Sequence, residues 1–223
     1  QGVAAGVTEM GALGTQGAAG GAVPDRVDGR SLVYEVADDG AGMGITIGDV
    51  NNDGLCDITV GGFYDNMRLL AAVDTGSIGY EMSLLPGGTH FAQGSNFADI
   101  NNDGHIDLIL YGHESIRAFQ GDGKLGFAET SDQAFPQKIM RVTGIVEADI
   151  DNDGDLDLFT SCLYTNHWAR LYRQERDGSF TDVTYLAGTI VYDAVSHSWA
   201  DYDRDGDLDL LASSRAGNWI YLY

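Results

Sequence analysis

The stretch Asp201-Tyr-Asp-Arg-Asp-Gly-Asp-Leu-Asp209 decides the fold, because closely similar stretches occur three more times in the chain. They are Asp49-Val-Asn-Asn-Asp-Gly-Leu-Cys-Asp57, Asp99-Ile-Asn-Asn-Asp-Gly-His-Ile-Asp107 and Asp149-Ile-Asp-Asn-Asp-Gly-Asp-Leu-Asp157. The first aspartates of successive copies are 50, 50 and 52 residues apart. A fixed period of this length is typical of a protein built from one repeated supersecondary unit.

Each copy offers oxygen ligands at fixed positions. Positions 1, 3, 5 and 9 carry Asp or Asn, and position 7 can offer its backbone carbonyl. Position 6 is Gly, which tolerates the left-handed backbone of a sharp turn. Ca²⁺ binds roughly six to eight oxygens, so up to four Ca²⁺ ions are predicted, one per loop. The predicted metal ligands are Asp49, Asn51, Asp53, Leu55, Asp57, Asp99, Asn101, Asp103, His105, Asp107, Asp149, Asp151, Asp153, Asp155, Asp157, Asp201, Asp203, Asp205, Asp207 and Asp209.

The repetition distinguishes these loops from ordinary turns. A single Asn-Asp-Gly cluster is usually only a polar turn, but all four copies keep Asp at positions 1, 5 and 9. Three or more carboxylates within nine residues would repel one another without a cation. The loops hold 16 of the 34 acidic residues, and four Ca²⁺ ions would change the formal net charge from −22 to −14.

The loops are not EF-hands. An EF-hand loop has Glu at position 12 and helices on both sides, whereas position 12 here is Val60, Leu110, Thr160 or Ala212. The flanking segments are rich in residues that favour strands. Each loop is therefore predicted to join two strands.

The repeats resemble a known family. The loop between two short strands, the period of about 50 residues, and the stretches Trp199-Ala-Asp-Tyr-Asp-Arg-Asp-Gly-Asp-Leu-Asp-Leu-Leu211 and Ser179-Phe-Thr-Asp-Val-Thr-Tyr-Leu-Ala-Gly188 resemble the FG-GAP/VCBS repeat family. Its members are similar to the calcium-bearing blades of integrin α-chain β-propellers. The resemblance covers residues 31–223. It implies a propeller fold and a calcium-ligand role for the loop residues, but no enzyme activity.

Each repeat is predicted to be a four-stranded antiparallel meander, which gives an all-β fold and a β-propeller of four blades. The fourth repeat ends one strand short, at residues 219–223, while residues 31–36 look like a fourth strand without the three that should precede it. Pairing of these two strands would close the ring and remove an exposed sheet edge. The alternative is that the chain is part of a larger ring.

Residues 1–30 form a separate region, rich in Gly and Ala and without the repeat pattern. One interpretation is a flexible linker. The other is an ordered arm that packs on its own propeller or on a neighbouring copy. A head-to-tail contact between copies would generate a ring or an open filament.

Composition excludes some functions. The net charge of −22 argues against nucleic-acid binding, and the chain has no run of 18 apolar residues that would span a membrane. Cys56 and Cys162 are expected to be unpaired, with Cys56 buried as a small hydrophobic residue.

Other motifs carry weaker signals. The GxGxxG match at residues 121–126 falls in a predicted hairpin, where nucleotide binding is not expected. Ser196 and His197 precede a predicted strand without a nucleophile elbow. Trp168, Trp199 and Trp219 are expected to pack between blades, with a sugar-binding surface as the alternative.

The predicted function is a non-enzymatic, secreted or cell-surface, calcium-binding propeller that serves as a structural or protein-interaction module. Its expected partners are calcium and either another extracellular protein or other copies of itself, which would give a filament. The alternative is a carbohydrate-binding, lectin-like propeller. An enzyme subunit is a third possibility, for which the sequence offers no catalytic constellation.

Overall fold

The computed structural model describes residues 42–62, 67–74, 78–85, 92–135, 139, 141–162, 168–215 and 217–221. The strands in these ranges form four antiparallel sheets, which we call blades 1 to 4 in chain order. Blade 1 contains β1 (Gly42–Gly48), β2 (Asp57–Gly62), β3 (Arg68–Asp74) and β4 (Ile78–Leu84); blade 2 contains β5 (Ala92–Ala98), β6 (Asp107–Gly112), β7 (Arg117–Gly121) and β8 (Phe127–Glu129). Blade 3 contains β9 (Gly144–Ala148), β10 (Asp157–Ser161), β11 (Arg170–Gln174) and β12 (Phe180–Asp182); blade 4 contains β13 (Ala194–Ala200), β14 (Asp209–Ser214) and β15 (Gly217–Tyr221).

Within each blade the strands follow one another as a meander. Every strand pairs with its neighbour in sequence, antiparallel throughout. The predicted all-β fold of four-stranded antiparallel units, consistent with a propeller, is therefore confirmed. One single-turn helix, α1 (Ser131–Ala134), follows β8 and was not predicted. Four residues are too few for a helical hydrophobic period to be visible in the sequence.

The hydrophobic core lies between blades. Leu108 and Leu110 of β6 pack with Met67 and Leu69 of the first repeat, whereas Ile109 packs in a second cluster with residues of blade 3. Successive side chains of a strand point to opposite faces. One apolar strand therefore contributes to two layers, and each fully buried Leu or Ile stabilises the fold by about 1.5–3 kcal/mol.

Blades 3 and 4 repeat this pattern. Leu158 of β10 belongs to the cluster shared with blade 2, and its neighbour Phe159 packs with Leu210 and Ala212 of blade 4. Both Leu158 and Phe159 are fully buried. The continuous apolar runs that follow the acidic loops are explained by burial on both faces.

The first strands of blades 1 and 2 approach closely. A Cβ atom at Gly44 would lie 2.5 Å from the carbonyl oxygen of Gln93, so only glycine fits at this point. The Thr59 hydroxyl is 2.6 Å from the Ser95 hydroxyl across the same junction. Polar contacts thus accompany the apolar packing where these blades meet.

Closure of the ring stays a prediction. Blade 4 has three described strands, as expected for a blade that lacks its fourth. The proposed fourth strand, 31–36, lies outside the described residues, as do the arm at 1–30 and residues 222–223. On β1, Ile45 and Ile47 are 67% and 61% exposed.

The prediction that Cys56 is buried was wrong. Both cysteines are free, but Cys56 is exposed and Cys162 is buried. Cys56 occupies loop position 8, immediately before β2, and the buried place is taken by the next residue, Asp57. Among the described helices none is long and apolar enough to cross a membrane.

Candidate metal centre

Each acidic loop connects the first and second strands of a blade. The aspartate at position 9 is the first residue of the second strand: Asp57, Asp107, Asp157 and Asp209 begin β2, β6, β10 and β14. The glycine at position 6 has a positive φ in every loop, from 85° at Gly104 to 103° at Gly206. This confirms the expected sharp turn.

The aspartate at position 1 organises the backbone of the turn in loops 1 to 3. In loop 3, the Asp149 carboxylate accepts hydrogen bonds from the N–H groups of Asp153 and Gly154, at 3.1 and 3.0 Å. Asp49 and Asp99 accept equivalent bonds at 2.9–3.1 Å. These bonds hold the carboxylate over the concave side of the turn.

The aspartate at position 5 is held by the N–H group of position 7. Asp53, Asp103, Asp153 and Asp205 each accept this bond through Oδ1, at 2.8–3.0 Å. The side chain of position 5 therefore turns back toward the loop backbone in all four copies. The same geometry in every blade indicates that the sequence repeat is also a repeat of side-chain positions.

The aspartate at position 9 is buried and fixes the loop to its blade. Asp157 is 1% exposed, and its two oxygens accept N–H bonds from Ile150 in the loop and from Gln174 at the end of β11, at 3.0 and 2.8 Å. Asp57 and Asp107 bridge their loops to the third strands in the same way. Burial raises the pKa of Asp157 to about 6, against the stabilising effect of the two N–H donors.

Carboxylates converge in the two loops that carry five aspartates. Oxygens of Asp149, Asp151 and Asp153 lie within 4.8 Å of one another, and so do oxygens of Asp201, Asp203 and Asp209. Partial desolvation, followed by repulsion from Asp153, raises the pKa of Asp151. Such clusters favour a cation that neutralises them.

Loops 1 and 2 carry fewer negative charges than loops 3 and 4. Asn51 and Asn101 replace aspartate at position 3, and each donates its side-chain amide to the position 5 carboxylate, at 3.0 and 3.1 Å. Their amide oxygens accept the N–H group of position 5. The amide thus replaces part of the repulsion with a hydrogen bond.

The donor set fits calcium. All the converging groups are oxygens, which hard cations such as Ca²⁺ prefer, and no nitrogen or sulfur side chain is among the clustered groups of the described residues. The residues that would hold the ion are the aspartates and asparagines at positions 1, 3, 5 and 9. Leu55 and His105 would contribute only their carbonyls.

Two residues at position 4 make contacts between loops that the sequence alone did not reveal. Asn102 donates its side-chain amide to the carbonyl of Gly154 and to Asp155 Oδ1, at 3.1 and 2.8 Å. Asn152 donates to Asp207 Oδ1 at 3.0 Å. The side chains of Asp155 and Asp207 therefore bind the preceding loop, which leaves their carbonyls as the predicted ligands.

The two motifs for which no function was predicted, at residues 121–126 and at Ser196 and His197, contribute to the fold. Residues 121–126 form the β7–β8 hairpin turn, where the Asp122 carboxylate accepts the N–H groups of Lys124 and Gly126 at 2.7 and 2.9 Å. Ser196 and His197 do not precede a strand as predicted but lie within β13, and the ring of His197 packs edge-on against Phe159.

The three tryptophans differ in their surroundings. Trp199 packs against the core between blades 3 and 4. Trp168 instead contacts Tyr185 and Tyr192, with ring centroids 5.4 and 5.7 Å apart. These tyrosines are 66% and 53% exposed, and we call the three residues the aromatic patch. The side chain of Trp219 lies outside the described part of the structure.

A family model described as an FG-GAP-like repeat matches residues 49–110, 99–160 and 161–212, which together make up most of the chain. The chain belongs to the FG-GAP-like repeat family. The first two matches begin at Asp49 and Asp99, the first residues of loops 1 and 2. The family inferred from the repeats is thereby confirmed.

Solved structures provide a second comparison. One match is an Agrocybe aegerita lectin, described by its specific recognition of non-reducing terminal N-acetylglucosamine, with 18% identity and a TM-score of 0.49. The match covers 79% of this FG-GAP-like chain and 48% of the lectin chain, so the chain spans about half the length of that relative. A similarity of this size transfers no function. No curated protein sequence matches this chain significantly.

Proposed function

We propose that this FG-GAP-like chain is a non-enzymatic, calcium-stabilised propeller module that acts outside the cell in structural or protein-interaction roles. The observation that supports it is the convergence of carboxylate oxygens within 4.8 Å of one another, from Asp149, Asp151 and Asp153 in loop 3 and from Asp201, Asp203 and Asp209 in loop 4. A bound Ca²⁺ would supply the positive charge that holds these oxygens together. The chain's own residues hold the loop in shape through the N–H bonds to positions 1, 5 and 9.

The affinity expected of such loops supports the proposed extracellular location. They are exposed, and much of each carboxylate's hydrogen-bonding capacity is used by the loop's own N–H groups. Extracellular calcium modules bind with Kd on the order of 10⁻⁴–10⁻³ M. Weak sites of this kind fill in calcium-rich surroundings and stay empty at cytosolic concentrations.

Calcium titration tests the proposal. Calorimetry on metal-free protein is expected to give up to four sites per chain, with the tighter pair assigned to loops 3 and 4. Asp151→Asn should remove or weaken one of these sites. Asp122→Asn removes the same charge from a hairpin turn outside the acidic loops and should leave all of them. Absence of calcium binding at 10 mM would refute the proposal.

A carbohydrate-binding function is the second candidate, and the aromatic patch favours it. Trp168 is half-buried, but Tyr185 and Tyr192, which contact it, are exposed, and Leu186 beside Tyr185 is 87% exposed. Exposed aromatic clusters mark binding surfaces. A glycan array decides between the candidates: a sugar signal that Trp168→Ala abolishes would favour the lectin function, whereas a signal that Trp168→Ala does not change would count against it.

Self-assembly through residues 1–30 is a further part of the proposal. It is supported by the low charge and the Gly and Ala content of the arm, which would permit close backbone approach. Light scattering and electron microscopy of the full chain, with and without residues 1–28, test it in millimolar Ca²⁺. A full chain that stays monomeric throughout would contradict assembly.

A further inference from the structure

Blade 1 presents an uncovered apolar face. Ile45 and Ile47 of β1 are 67% and 61% exposed. They pair with Val60 and Ile58 of β2, which are half-buried, and residues paired across two antiparallel strands lie on the same face of the sheet. We call these four residues the blade 1 face. A contiguous exposed apolar surface of this kind marks an interaction site.

In the other blades, the equivalent positions are covered by the preceding blade. Phe97 has the position of Ile47 in blade 2, and it packs with Leu69 of blade 1. Trp199 has this position in blade 4, and it packs edge-on against Phe159 of blade 3. On the second strands, the residue after the position 9 aspartate is fully buried in these three blades, as Leu108, Leu158 and Leu210. The blade 1 face is therefore built to receive a preceding blade.

Blade 4 presents the matching kind of face. Where blade 1 meets blade 2, the side of β1 that faces blade 2 carries small residues, and a Cβ atom at Gly48 would lie 3.1 Å from the ring of Phe97. The equivalent residues of β13 are also small and all of them are exposed, namely Ser196, Ser198 and Ala200. We call these three residues the blade 4 face. A row of small residues leaves space for the larger side chains of a following blade.

Charges beside these faces are complementary. Position 4 of loops 2 and 3 contacts the following loop through Asn102 and Asn152. In loop 4 this position is Arg204, which is exposed and is the only lysine or arginine in the four loops. Its φ of 65° is close to the 58° of Asn152, so the backbone has the same conformation. An acidic loop placed after loop 4 would therefore meet a cation, and loop 1 carries three aspartates.

We propose that the blade 4 face of one copy of this chain packs against the blade 1 face of a second copy. Both faces are exposed in the single chain, which leaves them available to another molecule. In the contact, the isoleucines of the blade 1 face lie against the small residues of the blade 4 face, and Arg204 approaches loop 1. Two copies joined in this way at both ends make a ring of eight blades, within the range of about four to eight for propellers. The inference goes beyond the proposed assembly through residues 1–30, because this contact lies on the blades.

The molecular mass in solution is the first test. The full chain is measured by light scattering and sedimentation velocity over a concentration series, in millimolar Ca²⁺ and in EDTA, so that the result does not depend on calcium binding. A species of two or more copies that dissociates on dilution is expected. A chain that is monomeric up to millimolar concentration overturns the proposal, and closure of the ring by the chain's own blade 4 would give this result.

Ile47→Asp assigns the contact to the blade 1 face. It should raise the dissociation constant about tenfold or more, because a carboxylate buried without a partner is costly. Ile47 is 61% exposed in the single chain, so the circular dichroism spectrum should not change. Leu186→Asp is the matched control, since Leu186 is 87% exposed and lies outside both faces. Assembly that Ile47→Asp leaves intact would belong to another surface, such as residues 1–30, and would overturn the proposal.

A mixing experiment tests whether the two faces bind each other. Ser198→Trp fills the blade 4 face and should also weaken association, and it covers the case in which Ile47→Asp does not fold. Each variant keeps one face intact, because Ile47→Asp leaves the blade 4 face unchanged and Ser198→Trp leaves the blade 1 face unchanged. A mixture of the two variants should therefore recover association through one intact junction. A mixture that stays as dissociated as the separate variants overturns the head-to-tail contact.

Discussion

Asn152 Nδ2 donates a hydrogen bond to Asp207 Oδ1 at 3.0 Å, which joins position 4 of loop 3 to position 7 of loop 4. Asn102 makes the corresponding contact with Asp155 at 2.8 Å. Position 4 lies between two predicted ligands of its own loop, and position 7 supplies a predicted carbonyl ligand. Neighbouring loops are therefore mechanically connected through single side chains.

The first prediction concerns this connection. Asn152 has a positive φ of 58°, so Asn152→Gly keeps the native backbone unstrained and removes the side-chain bond. The loss of one exposed hydrogen bond, about 0.5 kcal/mol, should weaken calcium binding to loops 3 and 4 by about two- to threefold. Calorimetric calcium titration measures this change in affinity.

The matched control is Asn52→Gly. Asn52 has nearly the same φ, 56°, but the residue at position 7 of the next loop is His105 instead of an aspartate. Asn52→Gly should change calcium affinity less than Asn152→Gly. Equal effects of the two variants would show that the Asn152–Asp207 contact does not couple the loops.

The second prediction distinguishes a residue of loop 3 that stabilises the fold, Asp157, from a residue of the same loop that is predicted to bind metal, Asp151. Asp157→Ala leaves the N–H groups of Ile150 and Gln174 without acceptors in a buried place. Each unsatisfied group costs about 1–3 kcal/mol, so the free energy of unfolding should fall by about 2–6 kcal/mol even in EDTA. Chemical denaturation measures this loss.

Asp151→Ala is the comparison for Asp157→Ala. Asp151 is exposed and belongs to the converging cluster, so its loss should not destabilise the fold in EDTA, where it relieves repulsion, and should lower stability when calcium is present. The two variants should therefore differ in EDTA and converge partly in calcium. An Asp157→Ala variant as stable as the parent protein in EDTA would contradict the anchoring role of position 9.

The third prediction is that calcium stabilises the fold. Binding to the native state adds RT ln(1 + [L]/Kd), about 1.4 kcal/mol per site at a tenfold excess over Kd. Thermal melts in EDTA and in millimolar Ca²⁺ should differ, and Asp205→Ala should remove part of the difference. Identical midpoints in the two buffers would exclude stabilising metal sites.

Local features of this fold could be predicted from the sequence, whereas contacts between blades could not. The sharp turn at Gly154 and the strand that begins at Asp157 follow from residues that are close in the chain. Gln174 and Ile100 are 74 residues apart, and Asn152 and Asp207 are 55 apart. Their contacts depend on how one blade packs on the next, which residue spacing does not specify.

The incorrect prediction for Cys56 has a different origin, in contacts made within blade 1. The residues at its position in the other loops are apolar, Ile106, Leu156 and Leu208, and this pattern suggested a buried place. In the structure these three are half-buried and Cys56 is exposed. The buried position belongs to the aspartate that follows, because its carboxylate bridges two backbone segments. The buried residue is thus not the apolar one that was expected but a polar one, whose carboxylate accepts hydrogen bonds from backbone N–H groups.

The last prediction concerns pH and His197. The imidazole is largely buried between blades 3 and 4, against Phe159, and desolvation lowers its pKa from the ordinary value of about 6.5. Because the folded state then binds its proton less readily than the unfolded chain, the contribution of His197 to stability is present above pH about 6.5. It is lost as the pH falls through that value toward the folded-state pKa.

His197→Phe isolates this contribution. Phenylalanine keeps an aromatic ring against Phe159 but cannot be protonated, so the variant should lose less stability than the parent protein between pH 7.5 and 5.5. Denaturation at a series of pH values in EDTA measures the difference, and carboxylates such as Asp157 cancel because both proteins carry them. Parallel pH profiles would show that His197 is protonated equally in the folded and unfolded states, against the burial seen at this junction.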